Sequence, residues 1–184
     1  LAITVNPPLP LDIGERNLKN FINSGYSHIS VSTDINTMKF LNKNGFIDKG
    51  FPYFGWLMAI QTIPVRFAVD LGINLIFYGE DGEVEYGGTT KTSDEFIFDV
   101  QYMKDIYLEA GYEERIKKAE ILNLDGLDLF KFPDCSPAEL NKLKITHWSY
   151  FENWDPYRNY LYAKKYCGLK EQEETNFSTF TNFS

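Results

Sequence analysis

Short runs of apolar and β-branched residues alternate along the chain with longer amphipathic segments. Four of these runs predict β-strands, because each is bounded by proline, glycine or polar turn residues. They cover residues 2–5, 28–31, 73–78 and 145–151. The run at 73–78 is almost continuously apolar, which is typical of a strand buried on both faces in a parallel sheet.

The segments between these runs carry the 3.6-residue spacing of amphipathic helices. Helices are predicted from Asp12 or Gly14 to Gly25, from a cap at Asp34 to Gly45, and over residues 96–110. Pro64 lies inside another helical pattern that ends at residue 72, and it suits the first turn of a second helix there. Ser136 and Asp155 are each followed by proline and are predicted N-caps of two further helices.

Alternating strands and helices predict βαβ units and a mostly parallel sheet, and therefore the α/β class. With 184 residues, the chain is long enough for one domain with its own core, which we expect to cover residues 1–170. Residues 171–184 are polar with interspersed Phe, and we expect them to be poorly ordered. An apolar strand at the very start of the chain also predicts that further sequence precedes it.

Composition and charge narrow the classes of function. A net charge of −8 disfavours a broad nucleic-acid-binding surface, whereas a small anion such as ATP can still bind at a helix N-terminus. The two cysteines form no CxxC pair and no apolar run is long enough to span a bilayer, which together favour a cytoplasmic protein. The sequence holds no Walker A, GxGxxG, GxSxG or HExxH motif. His28 and His147 lack metal-ligand spacing, and we interpret both as structural.

The candidate functional residues come directly after predicted strands, because open parallel sheets bind ligands at the carboxyl ends of their strands. After residue 78, four carboxylates bracketed by glycines crowd into six positions: Glu80, Asp81, Glu83 and Glu85. Such a cluster indicates a Mg²⁺ site shared with substrate phosphates, with Glu80 and Glu83 as its ligands. The alternatives are carboxylates that bind the hydroxyl and amide protons of a sugar, and an acidic turn without function.

Two other strand ends carry weaker candidates. Asn6-Pro-Pro8 follows the first strand and either exposes backbone groups that suit a flat adenine or is a rigid turn. Trp154 and Asp155 follow the last strand. There Trp154 can stack on a sugar or base while Asp155 accepts hydroxyl protons. The alternative is a core tryptophan beside a helix-capping aspartate.

Three segments of the chain together carry a family resemblance. They are Leu1-Ala-Ile-Thr-Val-Asn-Pro7 with Gly14 and Asn17-Leu18, Leu75-Ile-Phe-Tyr-Gly-Glu80 with Glu83-Val-Glu-Tyr-Gly-Gly88, and Asn153-Trp-Asp155. They resemble the N-acetyl sugar amidotransferases of bacterial lipopolysaccharide and flagellin-sugar biosynthesis, a family of the PP-loop ATP pyrophosphatase superfamily. The resemblance spans most of the chain and is most specific in the second segment.

The resemblance implies a three-layer Rossmann-like sheet of the adenine-nucleotide α-hydrolase type. It also implies an enzyme that uses ATP and Mg²⁺ to activate the acetamido oxygen of an amino sugar. Ammonia from a glutaminase partner then displaces that oxygen and leaves an acetamidino group. The implied site residues are Thr4, Val5, Asn6 and Gly79 for nucleotide binding, Glu80, Glu85 and Tyr86 for catalysis, and Gly87, Gly88, Trp154 and Asp155 for substrate binding.

The chain departs from the superfamily pattern in one respect. A phosphate-binding loop of Ser-Gly-Gly-Lys-Asp-Ser type should precede the strand at residues 2–5, and the 184 residues contain no such run. We therefore expect this chain alone to lack turnover, because nothing in it would cradle pyrophosphate. The alternative functions are another PP-loop enzyme, with a small-molecule or tRNA substrate, and a non-catalytic nucleotide- or sugar-binding module.

Overall fold

A computed structural model describes residues 1–80, 82, 96–108 and 111–173. The strands are β1 (Ala2–Val5), β2 (His28–Val31), β3 (Leu75–Tyr78) and β4 (Lys144–His147). The helices are α1 (Asp12–Asn23), α2 (Ile35–Lys49), α3 (Phe54–Leu71), α4 (Val100–Tyr102), α5 (Tyr112–Ile121), α6 (Pro137–Leu140) and α7 (Pro156–Tyr166). A π-helical turn covers Met103–Tyr107, and 3₁₀ turns cover Leu127–Phe130 and Trp148–Tyr150. About 55% of the described residues are helical, and the described strands form two short parallel sheets, which confirms the predicted α/β class.

The described residues form two compact units. One contains residues 1–31 and the described residues from Asp155 onward, and the other contains Ser32–Trp154. Two compact units can be parts of one domain, so the predicted single domain over residues 1–170 stays a prediction. The predicted poorly ordered segment 171–184 lies largely outside the described residues.

The first unit is built on the parallel pair β1–β2, which runs in register from Ala2 opposite His28 to Val5 opposite Val31. Beside it, α1 is tied to the chain that follows α7. The Asn17 side chain donates to the Lys170 carbonyl at 2.9 Å and accepts from the Lys170 N–H at 2.8 Å. These two bonds hold the segment that follows α7 against α1.

The second unit is built on α2, α3 and the parallel pair β3–β4, in register from Leu75 opposite Lys144 to Tyr78 opposite His147. The strand burial corrects one prediction. Ile76 is only 8% exposed, but its neighbours Leu75 and Phe77 are 54% and 45% exposed. Because successive side chains of a strand point to opposite faces, β3 is buried on one face, and the prediction of burial on both faces is wrong.

Several element boundaries also differ from the predicted ones. β3 begins at Leu75 rather than at residue 73, and β4 ends at His147 because the chain continues into a 3₁₀ turn. The helix predicted over residues 96–110 begins only at Val100. Its start is set by Asp99, whose side chain accepts from the Tyr102 N–H at 2.9 Å.

The predicted N-caps are confirmed. Asp34 accepts from the N–H groups of Asn36 and Thr37 at 3.0 and 2.8 Å. Ser136 forms a full capping box with Glu139. These side chains satisfy N–H groups that the first turn of a helix leaves without partners.

The prediction that α2 ends at Gly45 is wrong. The helix continues to Lys49 and ends at Gly50, which has the left-handed φ of +69° that favours glycine. Gly45 instead marks a close approach of α2 to α3, since a Cβ placed there would clash with the Phe54 Cβ. A glycine inside a helical pattern signals either an end or a close contact.

The close approach at Gly45 yields a prediction about stability. Gly45→Ala should lower the free energy of unfolding by about 1–3 kcal/mol, because helix backbones must move apart to admit the methyl group. The matched control is Gly14→Ala in α1, where no atom lies within 4 Å of the new Cβ. That change should raise stability by roughly 0.5–1 kcal/mol. Denaturant unfolding of both variants checks this, and equal effects would contradict the packing described for α2 and α3.

Candidate functional site

The carboxyl ends of β3 and β4 meet at one edge of their sheet, since the strands are parallel and Tyr78 is the register partner of His147. The two rings are stacked with centroids 5.3 Å apart. Gly79 and Glu80, two of the predicted site residues, follow directly after Tyr78. The structure thus places the start of the acidic run where ligands bind in open parallel sheets.

Tyr78 also joins this edge to α3 through a hydrogen bond. Its hydroxyl donates to the Ile60 carbonyl at 3.0 Å. In an uninterrupted helix that carbonyl would accept from the N–H of residue 64, which is proline and has none. The tyrosine from the sheet therefore supplies the donor that Pro64 lacks.

This bond accounts for a difference from the prediction at Pro64. The structure shows one continuous helix, Phe54–Leu71, with Pro64 in its interior rather than at the first turn of a second helix. Burial, together with the nearby charge of Glu80 and with Tyr107, raises the pKa of the Tyr78 hydroxyl well above its ordinary value. The hydroxyl therefore stays protonated and remains a donor.

His147 lies in a box of aromatic rings at the same edge. Its side chain is completely buried. Phe98 stacks on it at 5.1 Å, and Tyr107 meets it edge-on at 5.9 Å. Desolvation in this box lowers the pKa of the imidazole from 6.5 to about 4, so His147 is neutral at pH 7.

The acidic run contacts this box through Gly82. A Cβ at Gly82 would clash with His147 Nδ1, so only glycine can lie this close to the ring. Gly82, two residues after Glu80, is therefore packed against the buried imidazole. Sequence reasoning interpreted His147 as structural and did not connect it with the loop. Its position on the last predicted strand, 145–151, was the available signal.

Several predicted site residues lie outside the described part of the chain. They are Asp81, Glu83, Glu85, Tyr86, Gly87 and Gly88. Of the acidic run, the structure therefore describes the half-buried Glu80 and the buried Gly82. The predicted Mg²⁺ ligand pair and the catalytic roles of Glu85 and Tyr86 stay predictions.

The predicted nucleotide-binding residues of the first strand lie in the first unit. Thr4 Oγ1 is 2.9 Å from His28 Nε2, and the Asn6 side chain accepts from the Ser30 hydroxyl at 2.7 Å. The Asn6 N–H donates to the Val31 carbonyl at 2.8 Å. Both polar side chains are thus held by β2, and Val5 between them is buried.

The last predicted pair divides between the two units. Asp155 caps α7, and its side chain accepts from the Arg158 N–H at 3.0 Å. The capping prediction for Asp155 is therefore confirmed. Trp154 is half-buried and belongs to the second unit. Their predicted joint role in substrate binding stays a prediction.

In the described ranges, 1–80, 82, 96–108 and 111–173, no group of three or more His, Cys, Asp or Glu side chains could hold a metal ion. Nor does any helix in the part of the chain that the structure describes have the length and apolar character needed to cross a membrane. No protein-family model matches the chain, and no curated protein matches it significantly.

The bond between Tyr78 and Ile60 predicts an energetic coupling to Pro64. Tyr78→Phe should lower the free energy of unfolding by about 1–3 kcal/mol, because it leaves the Ile60 carbonyl without a donor. Pro64→Ala restores a helical N–H to that carbonyl, so the same Tyr78→Phe change should cost less in a Pro64→Ala background. A double-mutant cycle by denaturant unfolding measures the difference. Equal costs in both backgrounds would show that Tyr78 does not substitute for the missing donor.

The buried imidazole predicts a pH dependence of stability. The folded-state pKa of His147 is lowered from 6.5 to about 4, so its contribution is fully present above pH 6.5 and is lost as the pH falls toward 4. The loss amounts to about 3 kcal/mol at most. Denaturant unfolding at a series of pH values measures it. His147→Phe keeps a ring in the box and cannot titrate, so an unchanged pH slope in that variant would exclude His147 as the cause.

Proposed function

We propose that the chain belongs to an ATP-dependent amidotransferase that converts the N-acetyl group of an amino sugar into an acetamidino group. The reaction uses glutamine-derived ammonia and serves bacterial surface-polysaccharide or flagellin-glycan biosynthesis. The observation that supports this is the position of Glu80, half-buried and directly after β3 at the carboxyl edge of a parallel sheet. The sequence resemblance is most specific in the same segment.

The Glu80 carboxylate suits a Mg²⁺–nucleotide site. Mg²⁺ prefers oxygen ligands and is commonly held by one or two carboxylates together with substrate phosphates. In this proposal Glu80 and Glu83 hold the ion, and Gly79 lies along the nucleotide. Thr4, Val5 and Asn6, which belong to the first unit, keep the nucleotide-binding role that the resemblance implies. When bound, ATP with its metal ion supplies the activation that turns the acetamido oxygen into a leaving group.

The residues around Glu80 position it. Tyr78 before it is held by α3 and by the His147 ring, and Gly82 after it lies against the same ring. Holding Tyr78 and Gly82 in place limits the backbone entropy that Glu80 loses when its carboxylate takes up a cation. In the proposal, Glu80, Glu85 and Tyr86 form the catalytic group, while Gly87, Gly88, Trp154 and Asp155 bind the sugar.

The proposal includes the finer fold, a three-layer Rossmann-like sheet. Both described strand pairs are parallel, which favours it. On β3, Ile76 is buried while Leu75 and Phe77 leave an apolar face exposed. An exposed apolar sheet face of this kind is suited to a second layer of helices.

Two reagents separate this function from the alternatives. Dependence on ammonia, or on glutamine with a glutaminase subunit, separates an amidotransferase from a nucleotide- or sugar-binding module. Dependence on an N-acetyl amino sugar separates it from PP-loop enzymes with other substrates. Pyrophosphate release by the full-length protein, measured with each reagent omitted in turn, tests both. Release that needs neither ammonia nor amino sugar would exclude the proposed reaction.

The role of Glu80 gives a mutational prediction. In the full-length protein, Glu80→Gln should lower sugar-dependent pyrophosphate release by about 10- to 100-fold, because the amide that replaces the carboxylate carries no charge for the metal ion. Raising the Mg²⁺ concentration should recover part of the loss. Glu15→Gln, an exposed carboxylate in the first turn of α1, serves as the control and should be neutral. Unchanged turnover in the Glu80→Gln protein would contradict the proposal and favour the alternative of an acidic turn without function.

A further inference from the structure

A cavity of about 650 Å³ lies between α1 and the carboxyl end of α7, entirely within the first unit. Its size is within the range of small-molecule sites, roughly 300–1,000 Å³. Four aromatic side chains line it: Phe21, Tyr26, Tyr162 and Tyr166. Neither the resemblance nor the proposed function assigns this cavity a role.

The rings form two pairs on the cavity wall. Phe21 and Tyr26 are stacked with centroids 5.0 Å apart and planes 12° from parallel. Tyr162 and Tyr166 are separated by one helical turn on α7, with centroids 5.4 Å apart. The three tyrosines are each more than half exposed. A wall of this kind offers flat apolar surfaces that water solvates poorly.

The polar character of the wall limits what can bind there. None of the eight lining residues is charged. Asn17 supplies the amide group of the wall, and both ends of that amide bind the Lys170 backbone, at 2.9 and 2.8 Å. Tyrosine hydroxyls are then the main polar groups that can face a ligand. A sugar needs several directed hydrogen bonds, which the wall does not offer. The ammonium of Lys165 lies 4.9 Å from the centroid of the Tyr166 ring, so this cation already contacts the aromatic wall.

We propose that this cavity binds a small uncharged aromatic compound, with its ring against the tyrosines of α7. Ring stacking and burial of apolar surface supply the affinity, and a tyrosine hydroxyl can bind a single polar substituent. The site is independent of Glu80 and of the proposed amidotransferase reaction.

The two cysteines of the chain allow a direct test, with indole as the probe. Cys167 lines the cavity, whereas Cys135 lies in the second unit, and both are half-buried free thiols. Saturating indole should slow the alkylation of Cys167 by N-ethylmaleimide about threefold or more and leave Cys135 unchanged, as read by peptide mass spectrometry. Absence of a saturable effect, or equal slowing at both cysteines, would overturn the proposal.

A matched pair of variants on α7 locates the binding. Tyr162→Ser removes a lining ring, whereas Tyr157→Ser removes a similarly exposed ring that does not line the cavity. The indole Kd should rise about 3- to 10-fold in the first variant and stay unchanged in the second. Equal effects in the two variants would overturn the assignment.

Two further outcomes would point to other occupants and overturn the proposal. Methyl glucoside that protects Cys167 better than indole would indicate a sugar site. Indole protection that appears only after Phe177, Phe180 and Phe183 are all replaced by serine would indicate that phenylalanines of the chain itself fill the cavity.

Discussion

The hydrogen bond from the Tyr78 hydroxyl to the Ile60 carbonyl joins the end of β3 to α3, and the position of the candidate site depends on both elements. Pro64 leaves that carbonyl without its helical partner, and the last residue of β3 supplies the donor. Leaving a partly buried carbonyl unsatisfied costs about 1–3 kcal/mol, which is large against a typical folding free energy. The helix and the edge of the sheet therefore fix each other's position.

Contacts of the same tyrosine also hold residues of the candidate site in place. The Tyr78 ring stacks on His147, and Gly82 lies against the same imidazole. Glu80 lies between these two fixed points. His147 can serve as such a support because desolvation keeps it neutral, so that the box encloses no unpaired charge. A buried, uncharged histidine thus supports the residues on either side of Glu80, Tyr78 and Gly82, without itself being a charged group of the site.

Much of the fold could be predicted from the sequence, for a physical reason. Strands and helices leave different apolar periodicities, and capping residues such as Asp34 and Ser136 act through bonds to their own neighbours in the chain. The errors occurred where a residue acts through tertiary contact. Gly45 looked like a helix end and is a point of helix contact. Pro64 looked like a helix start and is accommodated inside α3 by a tyrosine fourteen residues later.

The part of the candidate site that depends on local sequence pattern could also be predicted, and the part that depends on tertiary contact could not. The placement of Gly79 and Glu80 at the end of a strand follows from local pattern, and the structure agrees with it. The contact of Gly82 with His147 joins residues far apart in the chain, and no pattern along the sequence reports it. The aromatic cavity between α1 and α7 also depends on helix pairing. Tyrosines spread along a helix give no sign of which of them face a neighbouring element.

The most direct test of the site asks whether a nucleotide-bound metal ion sits beside Glu80. Mn²⁺ in place of Mg²⁺, added with ATP to the full-length protein, would broaden the NMR signals of nearby nuclei, and the His147 ring offers a resolved reporter at the edge of the sheet. We expect broadening of the His147 ring signals that requires ATP and is lost in Glu80→Gln. Broadening that is absent, or that persists unchanged in Glu80→Gln, would contradict a metal–nucleotide site at this edge.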